Sequence, residues 1–428
     1  MLPKKAILFI GAGNEAIPGV KYAKKIGYTT IVSDKSYKAP AKKFADYFIK
    51  ASTYDYKSTL KKALNFNKKI KKIDGAMSLS ADVPFTVANV AKKLKLRSIP
   101  LKTAKIFSDK YLMKKKFREL GVMIPKFYLI KNLKDLENKI HKFKIAIIKP
   151  VDSRGARGVF VVDKTNFKNL FKESMKYSIS KKLILEEFLD GEEASYFVIV
   201  NNNHFKFFGT AQDHKRVYEN DRGPNTGGMG AYSPAPIVTK SLEKKIISKI
   251  IKPTLMALSR RKISYNGFLY VGLMVKNNEP YLIEYNIRMG DPECQVILPR
   301  LKTDLVQILK NSISNKLKDT IIKWKKHKSM TIVLCSKGYP GSYKKNIKIN
   351  GLNKINSSKT NFIYHAGTKY VNGEFRSNGG RVLNITSIGS TFFQIRKKII
   401  SNLKKINWKK GFYRKDIGWR VISKNENY

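Results

Sequence analysis

Residues 6–10, AILFI, are an unbroken apolar run that leads straight into Gly11-Ala12-Gly13-Asn14-Glu15-Ala16. A strand buried on both faces reads as such a run, with no polar alternation. The glycines allow the tight turn that delivers the chain into a helix. The same alternation continues. A helix to Lys25 is followed by strands at 29–32 and 45–49, a helix at 57–64, a strand at 75–79 and a helix at 83–94. Strand and helix in regular alternation predict a doubly wound α/β domain over residues 1–103, with ligands at the carboxyl ends of its strands. The G-x-G-x-x-A spacing, with Asp34 ending the second strand, also fits a dinucleotide fingerprint. An NAD-linked oxidoreductase is therefore a rival reading, although nothing downstream supplies a hydride-acceptor site.

The middle of the chain changes character. A helix is expected at 103–120, with Gly121 as its stop. A strand at 145–150 ends in Lys149 and is followed by Ser153-Arg154-Gly155-Ala156-Arg157-Gly158 and a strand at 159–162. Two strands joined by a glycine-and-arginine loop can fold over a polyphosphate, with Lys149 pointing at it. No GxxxxGK[ST] occurs, and the loop leads into a strand, so this is not a P-loop. An ordinary hairpin is the bland alternative. An apolar strand from residue 183 runs into the acidic turn EEFLDGEE, and paired strands are expected at 194–200 and 205–210.

Residues 212–236, QDHKRVYENDRGPNTGGMGAYSPAP, place Asp213, His214, Lys215 and Arg216 directly before a glycine-rich segment. That glycine density argues against any helix or strand and for a loop whose backbone can approach a ligand closely. A long helix at 242–261 carries Ile246, Ile247, Ile250, Ile251, Leu255 and Leu258 at core spacing. In the strand expected at 281–288, Glu284, Asn286 and Arg288 share one face. A carboxylate beside an amide oxygen suits Mg²⁺ or a similar hard cation, and Arg288 next to them can hold a phosphoryl or acyl oxygen. A solvent-facing polar strand is the alternative. From about residue 325 the chain reads as β-rich, with one helix at 391–404.

Charge needs its own account: 86 Lys+Arg against 31 Asp+Glu give a net +55 over 428 residues. The lysines are spread along the whole chain, with no basic tail and no aromatic-studded strip, so compositional drift accounts for them better than a dedicated nucleic-acid site. Two cysteines, Cys294 and Cys335, cannot build a disulfide framework or a zinc site. No apolar run approaches the ~20 residues of a membrane span. A cytoplasmic protein, monomeric and bound to neither membrane nor a specific nucleic acid, is expected.

The stretch at 212–236, and a second one at 285–295, YNIRMGDPECQ, resemble in order two signatures of the phosphoribosylglycinamide synthetases, ATP-grasp ligases that join glycine to 5-phosphoribosylamine. The second is the family's NxRxGDPExQ pattern. The specific resemblance covers about residues 183–418. Before it, SDKYLMKKKFRELGVMIP and IIKPVDSRGARGV resemble ATP-grasp ligases broadly. The resemblance implies a central ATP-grasp domain at 104–324, with a mobile lid at about 123–192, and a C-terminal domain at 325–428. ATP and Mg²⁺ (or Mn²⁺) are the implied cofactors. Lys110, Lys149, Gly155 and Gly158 would take ATP phosphates, backbone from Glu186 through Glu187 and Phe188 to Leu189 the adenine, and Glu193 the ribose. Glu284 and Asn286 would hold the metal. Arg288, Asp213 and Lys215 are the catalytic candidates, with Gly11, Gly13, Arg216, Asn225 and Asp291 on the glycine and phosphoribosylamine. The family's GGREHA-type loop is GNEAIP here, and its GPE-type loop is replaced by residues 80–84, SADVP. Those departures leave open the same chemistry on a different carboxylate and amine.

Overall fold

The computed structural model describes residues 5–13, 16–79, 81–153, 155 and 157–422. The chain divides into two compact units, Met1–Ser108 with Ile263–Tyr265, and Asp109–Lys262 with Asn266–Tyr428.

In the first unit, strands Tyr47–Lys50, Thr29–Asp34, Ala6–Ile10 and Gly75–Met77 lie in that order in one parallel sheet. Its two central strands, Ala6–Ile10 and Thr29–Asp34, are buried on both faces, as the apolar run at 6–10 requires, while the edge strands are partly exposed. Leu8 and Ile10 pack into one cluster with Phe66 and Val90, while Phe9 enters another with Val20 and Ala23. Helices Ile17–Lys25, Tyr56–Lys69 and Pro84–Lys93 supply those residues. After the first strand, Gly11 turns with φ +106°, and a Cβ there would sit 3.1 Å from that of Ala81. Asp34 accepts the N–H of Ala12 at 3.3 Å and that of Ser36 at 3.0 Å. The acid of the apparent dinucleotide fingerprint is thus engaged by its own loop. Asn14, Glu15 and Ser80 lie outside the described residues.

The helix expected at 103–120 is two helices, Leu101–Ser108 and Lys110–Arg118. Asp109 breaks it: its backbone is extended and its carboxylate accepts the N–H of Leu112 at 2.8 Å. A side chain that caps a helix start competes with continuation of the preceding helix.

The second unit carries a small and a large sheet. The small one orders Phe127–Ile130, Leu183–Glu187, Ala146–Pro150 and Phe160–Val162, all antiparallel. One face buries Leu183, Leu185, Ala146 and Ile148 with helix residues Leu136, Ile140 and Phe171. The opposite face therefore presents Lys149 and Glu186, by strand alternation. The large sheet runs Glu279–Asn286, Asn266–Lys276, Glu192–Asn201, His204–Asp213, Gly230–Ser233, Lys328–Ser336, Arg381–Gly389 and Asn361–His365, with Gly411–Phe412 added to Lys328–Ser336. Strands on either side of residue 325 are thus hydrogen-bonded neighbours.

The glycine-rich stretch is not all loop. It holds a hairpin, Arg216–Tyr218 with Arg222–Asn225, and the buried strand Gly230–Ser233. Glycine is needed in that strand because a Cβ at Gly230 would lie 2.6 Å from the Thr331 carbonyl and 2.9 Å from Ile417. Close backbone approach, rather than a turn, explains this residue.

The long helix runs Lys240–Ile246 and Lys252–Arg260 with a π-turn at Ile247–Ile251 between them. Pro253 has no N–H for the carbonyl of Lys249, four residues back. That carbonyl accepts instead from Met123 N–H at 3.2 Å, and the Met123 carbonyl accepts from Leu282 N–H at 2.9 Å. Of its six expected core residues, Ile247 is only half-buried. Among the described residues, no helix is long and apolar enough to cross a membrane.

Candidate active site

Three groups of side chains in the second unit make up the site. The first joins the small sheet to the helix Lys110–Arg118. Glu186 is buried and bridges two buried lysines, with Lys149 Nζ at 2.9 Å and Lys114 Nζ at 3.1 Å. Lys114 also donates to the Leu282 carbonyl at 3.3 Å. Burial alone would raise the Glu186 carboxyl, but the two lysines hold it below its ordinary value. Burial pushes the Lys114 amine down to about 8, Glu186 pulls it back and Lys149 pushes it further down. Two ammonium groups around one carboxylate leave this buried cluster with a net positive charge, which suits an anionic ligand. Lys110 begins its helix with its N–H on the Val151 carbonyl at 2.8 Å and its Nζ on the Ser153 carbonyl. Lys110 is thereby held against the glycine loop, where Gly155 and Gly158 have φ of +65° and +72°. Arg154 and Ala156 of that loop lie outside the described residues.

Beyond the same strand, Phe188 is partly exposed and Leu189 is buried. Glu186 and Glu187 are paired within the sheet on both sides, so the backbone leaves the strand only at Phe188. Glu187 accepts the N–H of Lys126 at 3.2 Å. The Glu193 side chain is exposed, and its carbonyl accepts from Gln212 at 3.1 Å.

The second group is the edge strand Glu279–Asn286. Asn286 Nδ2 donates to Glu284 Oε1 at 3.1 Å, and Arg288 Nη2 donates to Asn286 Oδ1 at 3.4 Å. The strand ends at Asn286, two residues short of its expected end, so Arg288 sits just past it. Burial would raise Glu284, but Lys110, Lys215 and Lys149 hold it below the usual value. One ionised carboxylate in the field of three cations would disfavour a bare metal ion and suit one that arrives on a polyphosphate. Among the described residues, no group of three or more His, Cys, Asp or Glu could hold a metal by itself. The donor set fits a divalent cation whose shell is completed by phosphate oxygens.

The third group follows the strand His204–Asp213. Asp213 is buried and paired with Lys215. Burial raises its carboxyl to about 7; Lys215 opposes this and Glu293 adds to it. Burial would lower Lys215, but Asp213, Tyr270 and Glu293 hold it well above its ordinary value. Glu293 is buried and accepts from Ser195 Oγ at 3.1 Å, and the Ser195 and Tyr270 hydroxyl oxygens lie 3.2 Å apart. Gly228, with φ +115°, passes so close that a Cβ would meet Pro292 at 2.5 Å and Asp213 Oδ1 at 2.7 Å. Arg381 ties this turn together, donating to the Gly227 carbonyl at 2.8 Å, the Asp291 carbonyl at 2.8 Å and the Asp291 carboxylate at 2.7 Å. Gln295 holds the other Asp291 oxygen at 2.7 Å. Arg216 lies opposite Asn225 in the hairpin and donates to the Gly223 carbonyl at 2.8 Å.

Lys110, Lys149, Asp213, Lys215 and Glu284 are thus brought into one electrostatic neighbourhood, with Asn286 and Arg288 at its edge. Gly11 and Gly13 belong to the other unit. Sequence reasoning did not select Lys114, Glu293 or Arg381. Lys114 stands four residues after Lys110, on the same helical face, and Arg381 lies in the NGGRVL run.

Two family models match the chain: the ATP-grasp (A) domain of phosphoribosylglycinamide synthetase over residues 108–294 and the C domain of the same protein over 329–420. Phosphoribosylamine–glycine ligase of Brucella melitensis is 42% identical over 245 residues, 57% of each chain. That of Escherichia coli K12 is 43% identical over 248 residues, 58% of each. The matched part therefore spans under two thirds of these relatives. Among solved structures, phosphoribosylamine–glycine ligase from Thermotoga maritima has a TM-score of 0.70 at 24% identity, over 96% of this chain and 99% of that one. L-amino acid ligase from Bacillus licheniformis reaches 0.69 at 16%, over 96% of this chain and 100% of that one.

Proposed function

Because the chain belongs to the phosphoribosylglycinamide synthetase family through both its ATP-grasp and its C domain, we propose that it is an ATP-dependent ligase joining glycine to 5-phosphoribosylamine. The observation that carries this reading is that Glu284, hydrogen-bonded to Asn286 at 3.1 Å, is held ionised by Lys110 and Lys149 of the first group and by Lys215 of the third. A polyphosphate grip and a carboxylate–amine site would meet at that carboxylate. Carboxylates are poor electrophiles, so glycine's carboxylate would first take the γ-phosphoryl group, releasing ADP. The amine nitrogen would then attack the acyl carbon of glycyl phosphate and expel inorganic phosphate. Such chemistry needs positioning and neutralisation of charge more than covalent help.

Lys110, Lys149 and the glycine loop around Gly155 and Gly158 would hold phosphates, with Lys114 and Glu186 fixing the direction of Lys149. Backbone at Phe188 and Leu189 would face the adenine, and Glu193 the ribose. Glu284 and Asn286 would hold a divalent cation, Mg²⁺ or Mn²⁺, which lowers the charge on the reacting phosphates when bound. Arg288 would stabilise the acyl phosphate. Asp213, Lys215, Arg216, Asn225 and Asp291 would receive glycine and the amine; of the two glycines expected there, Gly11 already donates its N–H to the Ser33 carbonyl at 3.0 Å, so it has none to offer a phosphate.

The test uses ATP, Mg²⁺ and glycine with either hydroxylamine or freshly generated phosphoribosylamine. Glycine hydroxamate reports the acyl phosphate, and glycinamide ribonucleotide reports the full reaction. Hydroxamate without glycinamide ribonucleotide would keep the ligase and remove this amine. Absence of both would remove the reading.

A further inference from the structure

Residues 411–420 are joined to the hairpin that carries Arg216 and Asn225 by a dense set of polar contacts. Arg414 is 1% exposed, and its guanidinium forms a fork with the Asp416 carboxylate at 2.8 and 2.7 Å. Its remaining nitrogen donates to the Arg216 carbonyl at 3.0 Å and to Asp221 at 2.8 Å. Asp416 accepts the N–H of Asn220 at 2.9 Å, and Glu219 accepts that of Lys415 at 3.0 Å. Arg420 takes the second Asp221 oxygen at 2.5 Å. Gly418 N–H donates to Nε2 of the buried His214 at 3.0 Å. Nε2 must therefore be unprotonated, and the ring proton of the neutral imidazole sits on Nδ1, which faces Asp221 at 3.8 Å.

The hairpin needs this support. Asn220 and Asp221 are consecutive left-handed residues, with φ of 58° and 50°. Side chains other than glycine's make that conformation costly unless the surroundings over-determine it. Here the tail binds the backbone of one residue and the carboxylate of the other. The Asp213–Lys215 end is held differently, since His214 also exchanges backbone bonds with the strand Gly230–Ser233 and Met229.

We propose that residues 411–420 act as a positioning clamp for the amine-binding hairpin: Arg414 and Asp416 fix where Arg216 and Asn225 present themselves to a phosphate-bearing amine, without touching substrate. This rests on the ligase reading above. It separates two halves of one reaction, because activation of glycine by ATP does not need the hairpin, while capture of the large anionic amine does.

The experiment compares wild type with Asp416→Ala and Arg414→Lys. Both variants lose the fork to Asp416, and the first leaves the buried arginine in place, so it is the safer one for folding. Hydroxamate formation from glycine, ATP and hydroxylamine is expected to stay within about twofold of wild type, whereas the KM for phosphoribosylamine rises roughly tenfold or more, a ΔΔG‡-type split between assays. Amide hydrogen exchange at 216–225 is expected to speed up in both variants with the rest of the second unit unchanged. Parallel loss in both assays, or an unchanged KM for the amine, would overturn the clamp. If wild type makes no hydroxamate, the ligase reading falls, and unchanged exchange at 216–225 would still overturn the clamp separately.

Discussion

Replacing Lys114 by methionine should make the second unit more stable while weakening its hold on ATP. The amine is wholly buried and its pKa is pushed from 10.5 to about 8, so folding loses ~3 kcal/mol in keeping it charged at pH 7, at ~1.4 kcal/mol per pH unit. Methionine keeps the length and removes the charge. Glu186 is not orphaned, because Lys149 remains 2.9 Å away, and the cluster falls from two cations and one anion to a neutral pair. The bond to the Leu282 carbonyl is lost, which gives back ~1 kcal/mol. A net gain of ~1–2 kcal/mol follows. Its pH dependence has a definite sign. A lysine whose folded pKa lies below its unfolded one penalises the fold at all pH values below about 8, and the penalty fades as pH rises towards 10.5. The advantage of Lys114→Met should therefore be full at pH 7 and shrink by pH 10. Urea unfolding followed by tryptophan fluorescence measures this directly, since Trp324, Trp408 and Trp419 all lie in the second unit. A variant less stable than wild type at pH 7, or a gap that does not change between pH 7 and pH 10, would refute the argument. Loss of ATP affinity in the same protein would identify the buried charge as retained for binding rather than for the fold.

Four further outcomes are expected. Glu284→Gln and Asn286→Ala should each abolish ligation at saturating Mg²⁺ in a folded protein, and near-normal turnover in both would remove them as metal ligands. Ligation should rise with pH through about 7 as Asp213 ionises, and Asp213→Asn should erase that inflection rather than shift it. Hydrogen exchange over 123–192 should slow when an ATP analogue binds; no added protection would argue against phosphate contact by the loop of Gly155 and Gly158. Binding to duplex DNA should be weak and fall steeply with salt, and a sequence-preferring complex that survives physiological salt would contradict the drift account of the charge.

The elements legible in advance were those set by one-dimensional patterns. The apolar run at 6–10 gave a strand buried on both faces, and the i, i+2, i+4 spacing placed Glu284, Asn286 and Arg288 together. What escaped reading depends on contacts distant in sequence. Lys114 sits in a Lys114-Lys115-Lys116 triplet that reads as a solvated face, yet it is fully buried because Glu186 and Leu282, 72 and 168 residues away, supply its partners. Gly230 reads as loop because glycine is a poor strand former, and only the closeness of Thr331 and Ile417 turns that weakness into a requirement. Asp109 broke a helix that its periodicity favoured, since a short carboxylate that can cap outweighs a weak propensity to continue. Arg381 and Arg414 lie in the β-rich part of the chain after residue 325, and only strand pairing distant in sequence shows that this part shares a sheet with the site.

The π-turn at Ile247–Ile251 has a consequence for how this chain can change over generations. The root of the small-sheet region is pinned there by main chain alone, Lys249 to Met123 to Leu282. Such an anchor is blind to side chains, so codons along it can wander towards lysine and isoleucine without loosening it. It is not blind to counting. A π-turn holds one residue more than an α-turn, and Pro253 must stay four residues past the carbonyl it leaves unpaired. A single-codon deletion at 250 or 251 would bring the Thr254 N–H to four residues past Lys249, so that an α-turn closes on that carbonyl and takes it from Met123. The anchor is therefore indifferent to the side chains at exposed Ser248 and half-buried Lys249, though the buried Ile250 and Ile251 are held by the core, and it is intolerant of indels, the reverse of what is usual for a surface loop.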